Sequence, residues 1–158
     1  MNKERKIINA TLCYLQKDDK TLMLHRVKKK NDYHQDKYNG LGGKFEFGES
    51  PEDCVIREVK EESGLQITKP ILRGIISFPL FDGIADWLVF IYTADKFEGE
   101  MIDSPEGNLE WIDNDKLKDL PLWDGDNIFM NWIKEDKFFS AKFIYENKKL
   151  SHYEVSFY

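Results

Sequence analysis

A chain of 158 residues has room for one domain with a proper core and none for a second of ordinary size. Hydrophobic residues make up 41% and charged residues 33%, the balance of a soluble globular protein. With 23 basic and 29 acidic residues the net charge is −6, which argues against a binder of nucleic-acid backbone. It does not argue against a nucleotide, because a bound divalent cation can supply the local positive charge.

Two cysteines, Cys13 and Cys54, lie far apart and outside any metal-type spacing, so a reducing compartment is expected. The start, Met1-Asn2-Lys3-Glu4-Arg5-Lys6, is polar and leads into an alternating stretch rather than a signal-peptide core. The longest apolar run, Trp87 to Tyr92, is too short to span a bilayer. A cytoplasmic protein without a membrane or nucleic-acid polymer as partner is the expectation.

Taken in order, Ile7–Leu15 and Thr21–Val27 read as strands flanking a turn at Lys17-Asp18-Asp19-Lys20. Lys28 to Asn39 reads as a charged loop holding Tyr33, His34 and Tyr38, and Gly40-Leu41-Gly42-Gly43 follows. Ser50 to Ser63 is helical: Ser50 is a good N-cap, Pro51 suits the first turn, Asp53 completes a capping box and Gly64 stops it. Ile71–Phe81 and Trp87–Thr93 read as strands joined at Asp82-Gly83. After a loop with Pro105 and Gly107 come Leu109-Glu110-Trp111-Ile112 and a helix from Asp124 to Lys134. Ala141–Tyr145 and Tyr153–Tyr158 form a terminal hairpin turning near Glu146-Asn147-Lys148. The order is strands, helix, strands, helix, strands, a single mixed α/β domain over residues 1–158. Of the histidines, His25 reads as structural, and His34 and His152 as surface residues.

The chemistry concentrates in Gly43 to Leu65. Glu58, Glu61 and Glu62 stand at i, i+3 and i+4, which puts their carboxylates on one helical face. Glu58 and Glu62 repel each other at a cost of a few tenths of a kcal/mol in a bare helix. Val55 and Val59 mark the adjacent inward face. Clustered carboxylates near a buried edge need something positive, and a hard divalent cation with oxygen ligands suits them. Arg57 neutralises part of the cluster or holds Glu49. Gly42 and Gly43 allow close backbone approach, and Lys44 suits a metal-bridged pyrophosphate. Three glutamates alone are more often a solvated face, and glycines before a helix more often a plain loop. The joint spacing shifts the balance.

That spacing resembles the Nudix box, G-x5-E-x7-R-E-U-x-E-E-x-G-U with U aliphatic. Gly43, Glu49, Arg57, Glu58, Val59, Glu61, Glu62, Gly64 and Leu65 fill every fixed position. The resemblance implies the Nudix fold, a mixed curved sheet between helices. It implies magnesium, for which manganese can substitute, held by Glu58, Glu61, Glu62 and the Gly42 carbonyl. Glu58, Glu62 and Arg57 are then catalytic residues. Glu106, five residues before Trp111, resembles a late loop glutamate brought to the metals, with Glu110 its rival.

The remainder is most similar to the MutT branch, which hydrolyses oxidised nucleoside triphosphates such as 8-oxo-dGTP. Asn39, in Tyr38-Asn39-Gly40-Leu41-Gly42-Gly43-Lys44, offers an amide suited to a purine edge. Trp123-Asp124-Gly125-Asp126 resembles a base-stacking tryptophan with acids, Asp124 or Asp126 meeting the base. A glycine stands where relatives carry one of two adjacent acids, so the choice of acid stays open. Phe78 and Tyr33 are the expected pocket aromatics, although each taken singly is more often ordinary core. The implied reaction is direct displacement by water, Glu58 or Glu106 taking its proton and Lys44 facing the phosphates. Other Nudix substrates (ADP-ribose, a dinucleoside polyphosphate, a nucleotide sugar) and a non-catalytic nucleotide-binding module are the alternatives. The oligomeric state stays open.

Overall fold

The structure is a computed structural model and describes residues 4–158. In chain order it runs β1 (Ile7–Lys17), β2 (Lys20–His25), β3 (Tyr38–Asn39), α1 (Pro51–Ser63), β4 (Gln66–Ile67), β5 (Ile71–Phe78) and β6 (Asp86–Ala94). There follow β7 (Phe97–Glu98), β8 (Asn108–Asp113), a 3₁₀ turn at Asn114–Asp119, α2 (Asp124–Lys134), β9 (Phe139–Glu146) and β10 (Lys149–Phe157). Eight strands form one mixed sheet in the order β10-β9-β5-β6-β1-β2-β3, with β8 beside β2, and β4 and β7 pair apart from it. The β1–β6 and β5–β9 pairs are parallel.

Strand alternation assigns the two faces. On β1, Cys13 and Leu15 point with Leu22 and Leu24 toward Val55 and Val59 of α1. The intervening Tyr14, with Met23, Ile76 and Ile91, meets Phe129 of α2 and the aromatics Phe139 and Phe143 of β9. The two helices therefore cover opposite faces of the sheet, as the resemblance implied.

One irregularity positions the site. β1 pairs with β2 only over Leu15–Lys17. Beyond that the two strands part, and the segment from Tyr38 to Lys44 fills the gap. It pairs with β2 at Tyr38 and Asn39 and bridges to β1 at Leu41 and Lys44. Sequence alone reads this stretch as loop, because two-residue pairings leave no periodic pattern. For the same reason β4 and β7 go unseen, and the 3₁₀ turn is unforeseen. β5 stops at Phe78 rather than Phe81, since Pro79 has no donor for the ladder and Leu80 takes φ 46°. The hairpin turn at Asn147-Lys148 has both residues at positive φ, the geometry of a tight two-residue turn, and its strands run further than the alternation suggests.

Helix α1 begins and ends as its caps dictate. The Ser50 hydroxyl accepts from Asp53 N, Asp53 accepts in return from Ser50 N, both at 3.1 Å, and Gly64 closes the helix at φ 81°. Among the described residues no helix is long and apolar enough to cross a membrane.

Candidate active site

The glycine turn lies directly against β1. Thr11 N donates to Gly43 O at 2.9 Å, and Cys13 and Leu41 exchange backbone hydrogen bonds. A side chain at Gly42 would bring its Cβ within 1.9 Å of the Thr11 carbonyl oxygen, so the turn packs this closely only without one. At Gly43 the obstacle is different: a Cβ would stand 2.5 Å from the Glu58 carboxyl carbon. Glu58 thus rests on the Gly43 backbone.

Val55, Val59 and Glu62 fall at i, i+4 and i+7, so Glu62 continues the apolar stripe of α1 into the protein. It is 6% exposed and accepts one hydrogen bond, from Gly42 N at 3.3 Å. Burial pushes its carboxyl up to about 8, and the nearby Glu58 and Glu106 push the same way. Burial also raises Glu58, against the pull of Arg57.

Arg57 is the organising cation. Its Nε and Nη2 grip the two Glu49 oxygens at 2.8 and 2.9 Å, Nη2 also donates to the Lys44 carbonyl at 3.0 Å, and Nη1 reaches Glu58 at 2.8 Å. The grip holds Glu49 down at about 2. Glu61 lies one residue, or about 100°, around the helix from Glu62. It is the exposed member of the cluster, its side chain 58% exposed and its carboxylate sharing Arg57 Nη1 with Glu58, at 3.2 and 2.8 Å, while Glu62 is buried.

A divalent cation fits the donor chemistry found here. Glu62 is a buried carboxylate with no cation in hydrogen-bond contact, Glu58 lies beside it, and the Gly42 carbonyl accepts no hydrogen bond among the described residues. All three are hard oxygen donors. The fit lies in donor type and in a buried acid without a counter-ion rather than in finished geometry. Among the described residues no group of three or more His, Cys, Asp or Glu side chains stands ready to hold an ion.

Glu106 approaches from the loop before β8, on the side where it raises both Glu58 and Glu62. It is paired with Lys29 at 2.8 Å and Arg26 at 3.6 Å. Arg26 in turn donates to Asp32 at 2.9 Å. Glu110 lies in β8 next to Leu109 and Trp111, which pack with the α1 cluster, so it points to the other face, beside the Tyr38 hydroxyl. The geometry thus brings Glu106 to the carboxylates and takes Glu110 away. Sequence reading missed Arg26, Lys29 and Asp32, whose link to Glu106 spans nearly eighty residues and leaves no local signal.

The pocket aromatics also gather, on the α2 face. Trp123 is only 5% exposed, and Tyr33 lies parallel on its ring at 5.5 Å and 13°. Phe81 and Tyr145 meet it edge-on, and Lys37 lies 5.2 Å from its centroid. The open stacking face expected of Trp123 is therefore filled by the chain itself. His34 is not a surface residue. It accepts from Trp123 Nε1 at 2.8 Å, and burial and Arg26 lower it to about 4. His25 is structural, stacked on Tyr38 at 4.1 Å.

Of the two acids, Asp126 caps Trp123 N at 3.2 Å, and burial lifts it to about 7. Asp124 is exposed and accepts from Leu150 N. Phe78 packs on Phe81 and Phe143. Asn39 is half-buried, its side chain without a hydrogen bond among the described residues, and Lys44 lies over Trp87 at 5.4 Å.

The two glycines give paired expectations. Gly43→Ala displaces Glu58 and lowers kcat/KM about a hundredfold with a small change in melting temperature. Gly42→Ala drives a methyl into backbone, so its melting temperature falls as well. Thermal melts beside steady-state turnover check both.

Comparison with known proteins agrees with this geometry. The NUDIX domain family model matches residues 6–133. An uncharacterised Nudix hydrolase, YvcI of Bacillus subtilis, is 36% identical over 128 residues, covering 78% of this chain and 77% of that one. An oxidized purine nucleoside triphosphate hydrolase of Danio rerio is 33% identical over 118 residues, covering 75% and 76%. A MutT protein of Bacillus halodurans superposes with a TM-score of 0.82 at 34% identity, covering 94% and 97%. With a complete box on a capped helix, a sheet covered on both faces and these likenesses, the chain belongs to the Nudix hydrolase family and is a MutT-like member of it.

Proposed function

We propose that this hydrolase cleaves an oxidised purine nucleoside triphosphate, 8-oxo-dGTP in the first instance, to the monophosphate and pyrophosphate, and so clears the nucleotide pool. The observation that carries the proposal is the buried Glu62 carboxyl beside the Gly42–Gly43 turn, with an aromatic cluster gathered at Trp123 across the sheet. The name of the zebrafish relative supports the same substrate class.

Glu58, Glu62 and the Gly42 carbonyl would hold magnesium, as would Glu61 once free of Arg57. Bound there, the metal would act as a Lewis acid toward the phosphates and would lower the pKa of a water. Arg57 acts through Glu49 and Glu58, keeping the turn and the helix in register. Glu58 or Glu106 takes the proton of the attacking water; Glu106 must first loosen its pairs with Lys29 and Arg26. Lys44 faces the phosphate chain. Trp123 supplies a stacking surface worth about 1–3 kcal/mol once Tyr33 gives way, and Asn39 and Asp126 read the base edge. Asp126, poised near neutrality, can donate as well as accept there.

The test is a substrate panel with products identified: 8-oxo-dGTP, dGTP, ADP-ribose and a diadenosine polyphosphate. The expected result is a kcat/KM for 8-oxo-dGTP at least tenfold above each of the others. Preference for ADP-ribose or the dinucleotide would overturn the substrate reading and leave the metal site standing.

A further inference from the structure

Tyr33 raises a question that the site alone does not answer. Its ring is parallel to Trp123, its hydroxyl donates to the Phe81 carbonyl at 2.8 Å, and the Lys148 ammonium stands 4.9 Å from its centroid. An aromatic ring, a hydrogen bond at its edge and a cation against its face are what a bound base would meet on the same surface. The segment that carries Tyr33 is also built to turn. Asn31 at φ 60° and Asp36 at φ 66° bracket it, both non-glycine residues in the left-handed region. Its own backbone contacts are turns, Gln35 N to Asp32 O and Lys37 N to His34 O, and two side-chain bonds fasten it to the aromatic cluster, Tyr33 to the Phe81 carbonyl and Trp123 Nε1 to His34, both of which break when it opens. Asp32, on Arg26, anchors its near end.

We infer that residues 32–35 are a gate, and that Tyr33 occupies the base-stacking face of Trp123 until a nucleotide displaces it. The inference rests on Trp123 as the base platform proposed above. A gate of this kind leaves only a fraction of the molecules competent, and the apparent affinity of every ligand that needs the Trp123 face falls to that same fraction of its open-state value. The penalty belongs to the protein, so it cannot alter the ratio between two bases. A pocket wall would alter it, because different bases touch a wall differently.

The experiment uses the whole chain with magnesium and four probes that need no turnover: 8-oxo-dGMP, dGMP, dTMP and inorganic pyrophosphate, each titrated by calorimetry. Tyr33→Ala is expected to tighten all three monophosphates by one common factor, about tenfold for a gate closed nine-tenths of the time. Tyr33→Phe keeps the ring and loses only the bond to Phe81, so its common factor is smaller. Pyrophosphate binding stays as in the wild type. Unequal factors, weaker nucleotide binding, no change, or an equal change for pyrophosphate each overturn the gate. If monophosphates bind the wild type in any of those cases, the nucleotide site stands without the gate; if they bind no form of the protein, both readings fall.

Discussion

Replacing Glu62 by Gln abolishes nearly all turnover and, in metal-free buffer, makes the protein more stable than the wild type. Both halves follow from one buried carboxylate. The amide keeps an oxygen to accept from Gly42 N, so the local packing survives. It cannot supply the charge that a divalent cation needs, and turnover falls about a thousandfold, some 4 kcal/mol of lost transition-state stabilisation.

The stability effect has a definite sign. Burial lifts the folded-state pKa from 4.5 to about 8, so between these values the folded chain holds a proton that the unfolded chain has released. The Glu62 contribution to wild-type stability therefore falls as pH rises from about 4.5 to about 8 and then levels off. At pH 7 the accumulated cost is about 3 kcal/mol, and Gln does not bear it. Denaturant melts in chelator should show the two proteins alike near pH 4.5 and the variant ahead at pH 8. A gap between the two proteins that stays level across that range would mean that Glu62 is solvated.

Arg57→Ala is the second large effect. Arg57 ties together the Glu49 end of the box, the Lys44 carbonyl and Glu58, so its loss lets the turn and helix α1 separate. Turnover falls about a hundredfold through misplacement of Glu58. Stability falls too, and the pH at which it falls identifies the cause. The wild-type advantage from Glu49, held near 2 by Arg57, is present above about pH 4.5 and is lost as pH drops through about 2. Arg57→Lys restores charge without the two-pronged grip and recovers only part of either property. Activity assays and melts at pH 3 and pH 7 check the set.

Helix α1 was legible in the sequence because each of its signals is local: Ser50 and Asp53 at the start, Gly64 at the end, Val55 and Val59 within. The burial of Glu62 follows from the same stripe, and the greater exposure of Glu61 from the single-residue offset. What stayed hidden depends on contacts distant in sequence. Asp32, Arg26 and Lys29 meet Glu106 only when the two loops come together in space. Tyr33 and His34 read as loop and surface residues because nothing nearby announces that Trp123, some ninety residues later, is their partner. The parting of β1 and β2, which seats the glycine turn, is invisible for a third reason: its pairings are too short to set a period.

The most direct test of the account is the release of pyrophosphate and nucleoside monophosphate from 8-oxo-dGTP, measured with magnesium and again in chelator. Equal amounts of the two products are expected, formed with magnesium and not in chelator. Release that persists in chelator, or orthophosphate and a diphosphate in their place, would contradict it.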